Sequence, residues 1–329
     1  MITEILEPTK ENIERAGRML KEGKLVAFPT ETVYGLGADA FNEEAVKAVY
    51  QAKGRPSDNP MIVHIADFNE LNSLTVEVTE DMKKLADAIW PGPLTMVCNK
   101  VEALPKVTTG GLDTVGIRMP ENEIARAMIK AAGVPVAAPS ANLSGKPSPT
   151  KKEHVIHDLD GRVDAILTGD DSRVGIESTV IDMTGEIPVI LRPGIVGKHE
   201  ISNILNKEVI VDKGLVSDDE TPKAPGMKYR HYAPEAEMVI FKGRDYVTVN
   251  SRIKEERARY ESEGKRVGVI LFNDEEYVKA AHDFFARLRE LDEEGVDIIL
   301  AGALSEEDDV GFAVMNRMLK SSGFNVEEI

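Results

Sequence analysis

From Met238 onward the chain alternates strictly between two kinds of segment. Met238–Phe241, Val267–Phe272 and Asp297–Leu300 read as strands, and Ser251–Glu261, Tyr277–Leu291 and Gly311–Leu319 read as the helices between and after them. No other pattern in the sequence restricts the fold so tightly. Strands that are each followed by a helix join one sheet as parallel neighbours through right-handed crossovers. Within Tyr277–Leu291 the residues Ala281, Phe284, Phe285, Leu288 and Leu291 recur at helical spacing and mark the inward face. Residues 236–329 therefore predict a small parallel α/β domain.

Residues 1–205 do not alternate in this way. Helical periodicity marks Glu11–Glu22, Glu43–Ala52, Glu80–Ile89, Glu123–Ala132, Lys152–Leu159 and Glu200–Leu205. Short apolar runs predict strands at Leu25–Phe28, Met61–Ile65, Leu94–Cys98, Thr114–Met119, Val134–Ala138, Ala165–Thr168, Thr179–Met183 and Val189–Leu191. Pro29–Gly37 reads as a polar, glycine-rich turn. Helices and strands mixed without strict βαβ alternation predict an α+β or mixed-sheet domain. Between the two regions, 206–235 reads as a linker, polar and acidic over Asp212–Pro225. It ends in Pro225-Gly226-Met227-Lys228-Tyr229-Arg230-His231-Tyr232-Ala233-Pro234, which is too aromatic and basic for a bland tether.

Charge narrows the choice of ligand. The chain carries a formal net charge of −17, with acid concentrated at Ser217–Glu220 and Glu290–Asp309. A protein that lies along a nucleic acid displays a basic face, so isolated cations in loops favour a small anionic ligand here. No apolar run approaches the ~20 residues of a membrane helix, and the first residues do not form a signal peptide. Cys98 is the one cysteine, which excludes an intrachain disulfide and suits a cytoplasmic protein.

Lys53-Gly54-Arg55-Pro56-Ser57-Asp58-Asn59-Pro60 follows a helix and precedes a strand. Two cations flank a glycine that lets backbone approach a ligand, and prolines stiffen the loop. Alone, such a cluster equally suits a solvated helix end. Ser140-Ala141-Asn142, Arg118 and Arg192-Pro193-Gly194 also fall at strand ends, and together they suggest a polyanion site. Arg118 in apolar company must snorkel, pair with a carboxylate or bind an anion. His64 and Cys98 in apolar strands read first as core, and His154 with His157 as a solvated helix end. The chain lacks a phosphate-binding P-loop, and Gly35-Leu36-Gly37 lacks the third glycine of a dinucleotide fingerprint.

Five motifs in one order resemble the YrdC/Sua5 family of L-threonylcarbamoyladenylate synthases. They are Pro29-Thr30-Glu31-Thr32-Val33-Tyr34-Gly35-Leu36, Lys53-Gly54-Arg55-Pro56, Ser140-Ala141-Asn142, Glu177-Ser178-Thr179-Val180 and Leu191-Arg192-Pro193-Gly194. The aromatic linker and the tail resemble the two-domain form. The resemblance implies a twisted mixed sheet around a deep cavity, followed by a Rossmann-like C-terminal domain.

It also implies a nucleotidyltransferase that joins L-threonine, bicarbonate and ATP, with Mg2+ on the ATP phosphates and no protein-held metal. By that resemblance Lys53, Arg55, Asn59, Thr114, Ser140, Asn142, Ser148, Arg192 and Tyr232 surround ATP, with Lys53 and Arg55 nearest the chemistry. Thr32, Tyr34, His64, Arg118 and Ser178 surround threonine. The linker folds over the cavity as a lid. The product passes to the tRNA threonylcarbamoyl transferase machinery, with at most weak direct tRNA binding. Two competing expectations are a non-catalytic double-stranded RNA or tRNA-binding module and a carbamoyl-adenylate-forming domain of a hydrogenase-maturation protein.

Overall fold

The computed structural model describes residues 2–212, 231–273 and 275–329. The lid expectation falls largely on 213–230, outside the described residues. Among the described residues the strands form two sheets, one of eleven strands and one of four.

The first half of the large sheet is β1 (Glu4–Leu6), β2 (Val26–Phe28), β3 (Gly35–Asp39), β4 (Ile62–His64), β5 (Leu94–Asn99) and β6 (Thr114–Arg118). β7 (Val136–Ala138), β8 (Ala165–Leu167), β9 (Thr179–Asp182), β10 (Val189–Arg192) and β11 (Ile210–Val211) complete it. Their spatial order is β1-β8-β2-β3-β7-β4-β6-β5-β9-β10-β11. Parallel pairs (β4 with β6, β5 with β9) and antiparallel pairs (β4 with β7, β5 with β6) alternate across the middle, so the sheet is mixed as expected.

The helices of this half are α1 (Lys10–Lys21), α2 (Glu43–Lys53), α3 (Glu80–Ile89), α4 (Glu123–Ala132), α5 (Lys152–Leu159) and α6 (Lys198–Leu205). Side chains alternate across a strand, and the core divides accordingly. One face carries Leu36, Val63, Ile117, Ala137 and Ile181, packed with Val46 of α2, Leu85 of α3, Val155 of α5 and Ile201 of α6. On the other face, Val26, Phe28, Val136 and Ala138 meet Met19 and Leu20 of α1 and Met128 and Ile129 of α4. That helical cover ends near β7. Beyond it the same face carries the small cluster Ile62, Val97, Val180 and Leu191, of which Ile62 lines a cavity.

The C-terminal sheet has β12 (Glu237–Lys242), β13 (Val267–Ile270), β14 (Ile298–Gly302) and β15 (Val326–Glu328) in the order β13-β14-β12-β15. All its pairings are parallel. Helix α7 (Tyr246–Ser262) covers one face through Val249 and Ile253. On the other face, α8 (Tyr277–Glu294) and α9 (Asp309–Ser322) join a cluster that also contains Val33, Val174, Ile176 and Tyr232. The small sheet is thus bound to the large one through a shared apolar core, worth about 25 cal/mol per Å² buried.

Some elements depart from the sequence reading. Gly35-Leu36-Gly37, expected in a turn, opens strand β3. A Cβ at Gly37 would lie 2.8 Å from Val136 Cγ1 and 3.0 Å from Phe28, so the glycine serves close packing rather than a bend. β1, β11 and β15 were not anticipated; each is two or three residues long, at most one of them buried, which leaves almost no periodicity to read. β11 lies inside the segment read as linker and pairs parallel with β10. His154 is not a solvated helix end. It is buried, and its Nδ1 accepts from the backbone N–H groups of Thr150 (3.2 Å) and Lys151 (3.3 Å).

Candidate active site

The cavity begins at the end of α2. Asn42 caps its start by accepting from Glu44 and Ala45 N–H groups, and Gly54 at φ 62° ends it in a left-handed turn. The Tyr50 hydroxyl then donates to Asn59 O (3.0 Å) and Val107 O (3.1 Å), fixing the return of the chain. This local frame aims Lys53 and Arg55 into the cavity from either side of the cap.

Lys53 is buried, and its Nζ donates to Asn142 O, Ser140 O (2.5 Å) and Asn142 Oδ1 (3.4 Å). Burial, then the charge of Arg55, presses its pKa well below the ordinary lysine value. Ser140 Oγ donates to Asn142 Oδ1 at 2.6 Å. The turn itself is held by antiparallel bridging of Ser140 to Gly35, beside the Ala141 N–H bond to Tyr34 O. Arg55 donates through Nη2 to Pro60 O (3.1 Å), and burial lowers its pKa to about 10.

Arg118 and His64 are neighbours in parallel register at the ends of β6 and β4. Arg118 Nη1 donates to Thr32 Oγ1 at 2.8 Å, and Thr32 Oγ1 lies 2.9 Å from Thr30 Oγ1. Glu31 Oε1 sits 2.6 Å from Arg118 Nη2, but off the hydrogen-bond axes. It supplies a counter-charge without filling the donors. Burial would raise the Glu31 pKa, yet the charge and contact of Arg118 outweigh it and hold the group lowered. Burial, with the adjacent Arg118 charge, presses the His64 pKa down to about 3, so the imidazole is neutral near pH 7.

The far wall comes from β9 and β10. A register shift between Ile190 and Arg192 bulges β10 and redirects Arg192. Its Nε donates to Ser178 O (3.0 Å) and its Nη2 to Ser178 Oγ (3.1 Å), while Ser178 Oγ lies 2.8 Å from Thr95 Oγ1. Tyr34 closes the cavity near the 169–170 loop, donating to Gly169 O at 2.9 Å. Tyr232 enters from the other side with its ring 5.0 Å from that of Phe285.

The cavity is lined by Thr32, Tyr34, Lys53, Arg55, His64, Arg118, Ser140, Asn142, Ser178, Arg192 and Tyr232. Three residues expected with them are placed elsewhere. Ser148 is buried against Glu177, donating to Oε1 at 2.5 Å. Asn59 is buried behind Arg55. Thr114 stands at the opposite end of β6 from Arg118, roughly 13 Å away at strand rise. Two carboxylates absent from the sequence-derived set, Glu31 and Glu177, balance the cations. Their position inside quoted motifs was the available signal.

Buried polar groups are almost always paired within a protein. Here Arg55 Nε, Arg118 Nε and His64 Nδ1 have no hydrogen-bond partner among the described groups. With Arg118 Nη2, which Glu31 leaves unfilled, these open groups around one basic cavity define a site for a ligand with anionic and polar parts. No cluster of three or more His, Cys, Asp or Glu suited to a metal ion occurs among the described residues.

Comparisons with known proteins identify the family. A Sua5/YciO/YrdC profile described as "Telomere recombination" matches residues 18–194, and a profile described as "Threonylcarbamoyl-AMP synthase, C-terminal domain" matches 196–323. The chain belongs to the Sua5/YciO/YrdC family, in its form with a Sua5 C-terminal domain. It is 48% identical over 328 residues to a threonylcarbamoyl-AMP synthase of Pyrococcus abyssi, spanning 96% of each chain. It is 46% identical to the corresponding synthase of Bacillus subtilis, over 99% of this chain and 97% of that one. The fold matches the crystal structure of Pyrococcus abyssi Sua5 complexed with L-threonine with a TM-score of 0.94 at 45% identity, covering both chains in full. Among the described residues no helix is long and apolar enough to cross a membrane.

Proposed function

We propose that this chain is a threonylcarbamoyl-AMP synthase, a nucleotidyltransferase that converts L-threonine, bicarbonate and ATP into threonylcarbamoyl-AMP, pyrophosphate and water. The observation that carries the reading is the convergence of Lys53, Arg55, Arg118 and Arg192 on one buried cavity in a chain of net charge −17. The threonine complex of the Pyrococcus abyssi relative supports the amino-acid half of the reading.

Threonine's amine combines with carbon dioxide from bicarbonate to give a carbamate. A carbamate oxygen then attacks the α-phosphorus of ATP, and the bond to the pyrophosphate oxygen breaks. Two anions must be held in line, so catalysis here is positioning and charge stabilisation rather than covalent attack by the protein. Arg118 takes the threonine carboxylate with its open Nε edge, and Glu31 keeps the guanidinium oriented. Arg55 and Arg192 face the phosphates, while Lys53 braces the Ser140–Asn142 turn beneath them. Mg2+ enters as part of the nucleotide substrate, because Glu31 and Glu177 are each engaged by an arginine and do not form a metal cage. The single buried thiol fits a cytoplasmic setting, with the product consumed by a tRNA-modifying transferase.

Purified protein supplied with ATP, Mg2+, L-threonine and 13C-bicarbonate is expected to release pyrophosphate and yield a labelled threonine-containing adenylate by mass spectrometry. Intact ATP together with tight, salt-dependent tRNA binding would replace the synthase with an RNA-binding module.

A further inference from the structure

The C-terminal unit does more than pack beside the cavity: one of its arginines reaches the cavity wall. Arg317 of α9 is fully buried. Its Nε lies 3.2 Å from Glu177 Oε2, and its Nη2 donates to Glu177 O at 3.4 Å. Its Nη1 donates to Pro193 O and, at 3.2 Å, to Ala313 O in its own helix. One guanidinium thus grips the residue before Ser178 and the residue after Arg192, and Arg192 in turn donates to Ser178.

Charge gives this grip a consequence. Glu177 lines the cavity together with the four cations. Burial would raise its pKa, but the charges of Arg317 and then Arg192 hold it lowered and therefore ionised. Arg317 pairs with this carboxylate directly, and the charge of Arg192 acts on it as well. If Arg317 were absent, Glu177 would turn its whole charge on Arg192, cancelling a cation and presenting an anion to an anionic ligand.

We propose that Arg317 is a positioning residue for the nucleotide: it neutralises Glu177 so that Arg192 keeps its charge for the phosphates. The proposal rests on the ATP reading above and extends the anion site across the boundary between the two sheets. Packing alone would make any loss at Arg317 indifferent to the charge at position 177, and that difference separates the two roles.

The experiment measures ATP affinity by calorimetry and KM for ATP in the full chain, for wild type, Arg317→Gln, Glu177→Gln and the double variant. Thermal unfolding serves as the folding control. Arg317→Gln is expected to bind ATP at least about tenfold more weakly, the order of one unit charge near a polyanion in a partly desolvated site. Affinity for L-threonine is expected to move much less. The double variant is expected to match Glu177→Gln within about threefold, because the charge it would have unmasked is gone. A double variant that binds ATP as weakly as Arg317→Gln overturns the proposal. Should Arg317→Gln not fold, the double variant against Glu177→Gln decides alone: equal affinity supports the role, and a loss of about tenfold or more ends it. A wild-type chain that binds no ATP instead defeats the functional reading.

Discussion

Lys53 donates to the backbone carbonyls of Ser140 and Asn142, tying the end of α2 to a turn 89 positions further along the chain. The ammonium is enclosed by oxygen acceptors and is the internal brace of the 140–142 turn. Lys53→Met leaves both carbonyls without their donor, and a buried orphan costs about 1–3 kcal/mol. The expected result is a loss of roughly 2–4 kcal/mol in urea unfolding, together with loss of pyrophosphate release. Unchanged stability would show that the turn does not need this brace.

Arg118 and Glu31 form a buried pair in which each partner neutralises the other. Arg118→Met strands the Glu31 charge, at a cost of about 3–5 kcal/mol for a broken buried pair. Adding Glu31→Gln removes that stranded charge. The double variant is therefore expected to recover most of the stability while remaining unable to bind threonine. Recovery of threonine affinity in the double variant, followed by calorimetry, would dismiss Arg118 as the carboxylate partner.

Two histidines make the fold acid-sensitive. Burial presses both His64 and His154 down to about 3, whereas an unfolded histidine titrates near 6.5. Between those values the unfolded chain binds protons that the folded chain excludes, so stability rises with pH through that window. It falls as pH drops below about 6.5, by up to about 1.4 kcal/mol per pH unit for each histidine. Groups facing His64 are Arg118 and Glu31; His154 faces Arg289, Lys151, Asp158 and His157. His64→Leu is expected to shallow the loss between pH 6.5 and 5 by about 2 kcal/mol. An identical slope in wild type and variant, read from urea titrations, would refute the assignment.

The same groups show how far a sequence can be read. Lys53, Arg55, Arg118 and Arg192 were legible because each charge sits next to a glycine, a proline or an apolar strand, where a solvated role is awkward. The strict alternation after Met238 gave the parallel sheet for the same reason: each segment is long enough to display a period. What stayed hidden depends on chain meeting chain. Nothing local in α9 tells that Arg317 faces inward to Glu177, since its helix also carries Asp309 and Lys320. His154 looked solvated because its donors, the 150 and 151 N–H groups, become partners only once α5 has formed. Gly35 and Gly37 looked like a turn because close packing against Phe28 and Val136 leaves no trace in the glycines themselves.

Cys98 offers a sharp test of the core. It lies in β5 facing the main cluster, donates weakly to Val115 O at 3.7 Å, and burial pushes its pKa up to about 11. A protonated, enclosed thiol is a poor nucleophile. The native chain is expected to be inert to a thiol reagent at pH 8 and to react once in denaturant, with catalysis unaffected by reagent treatment in the folded state.

Tyr232 brings the end of the aromatic linker to the cavity in a backbone conformation that side chains seldom adopt, at φ 62°. A left-handed non-glycine residue costs about 1–2 kcal/mol, so its surroundings must favour the position. They do so in two ways. The ring is buried against Phe285, and the next residue's N–H donates to Gly145 O at 2.9 Å, beside the Ser144–Lys146 part of the lining. The hydroxyl, with its pKa pushed up to about 12 by burial and then by Glu177, stays a donor throughout the working pH range. Tyr232→Ala loses the stack and is expected to cost about 3 kcal/mol. Tyr232→Phe keeps the stack and is expected to stay within about 1 kcal/mol of wild type, while raising KM for ATP through loss of the hydroxyl. Equal KM values for Tyr232→Phe and wild type would confine Tyr232 to packing, and the ring would then be a hinge pin between the two sheets rather than part of the nucleotide site.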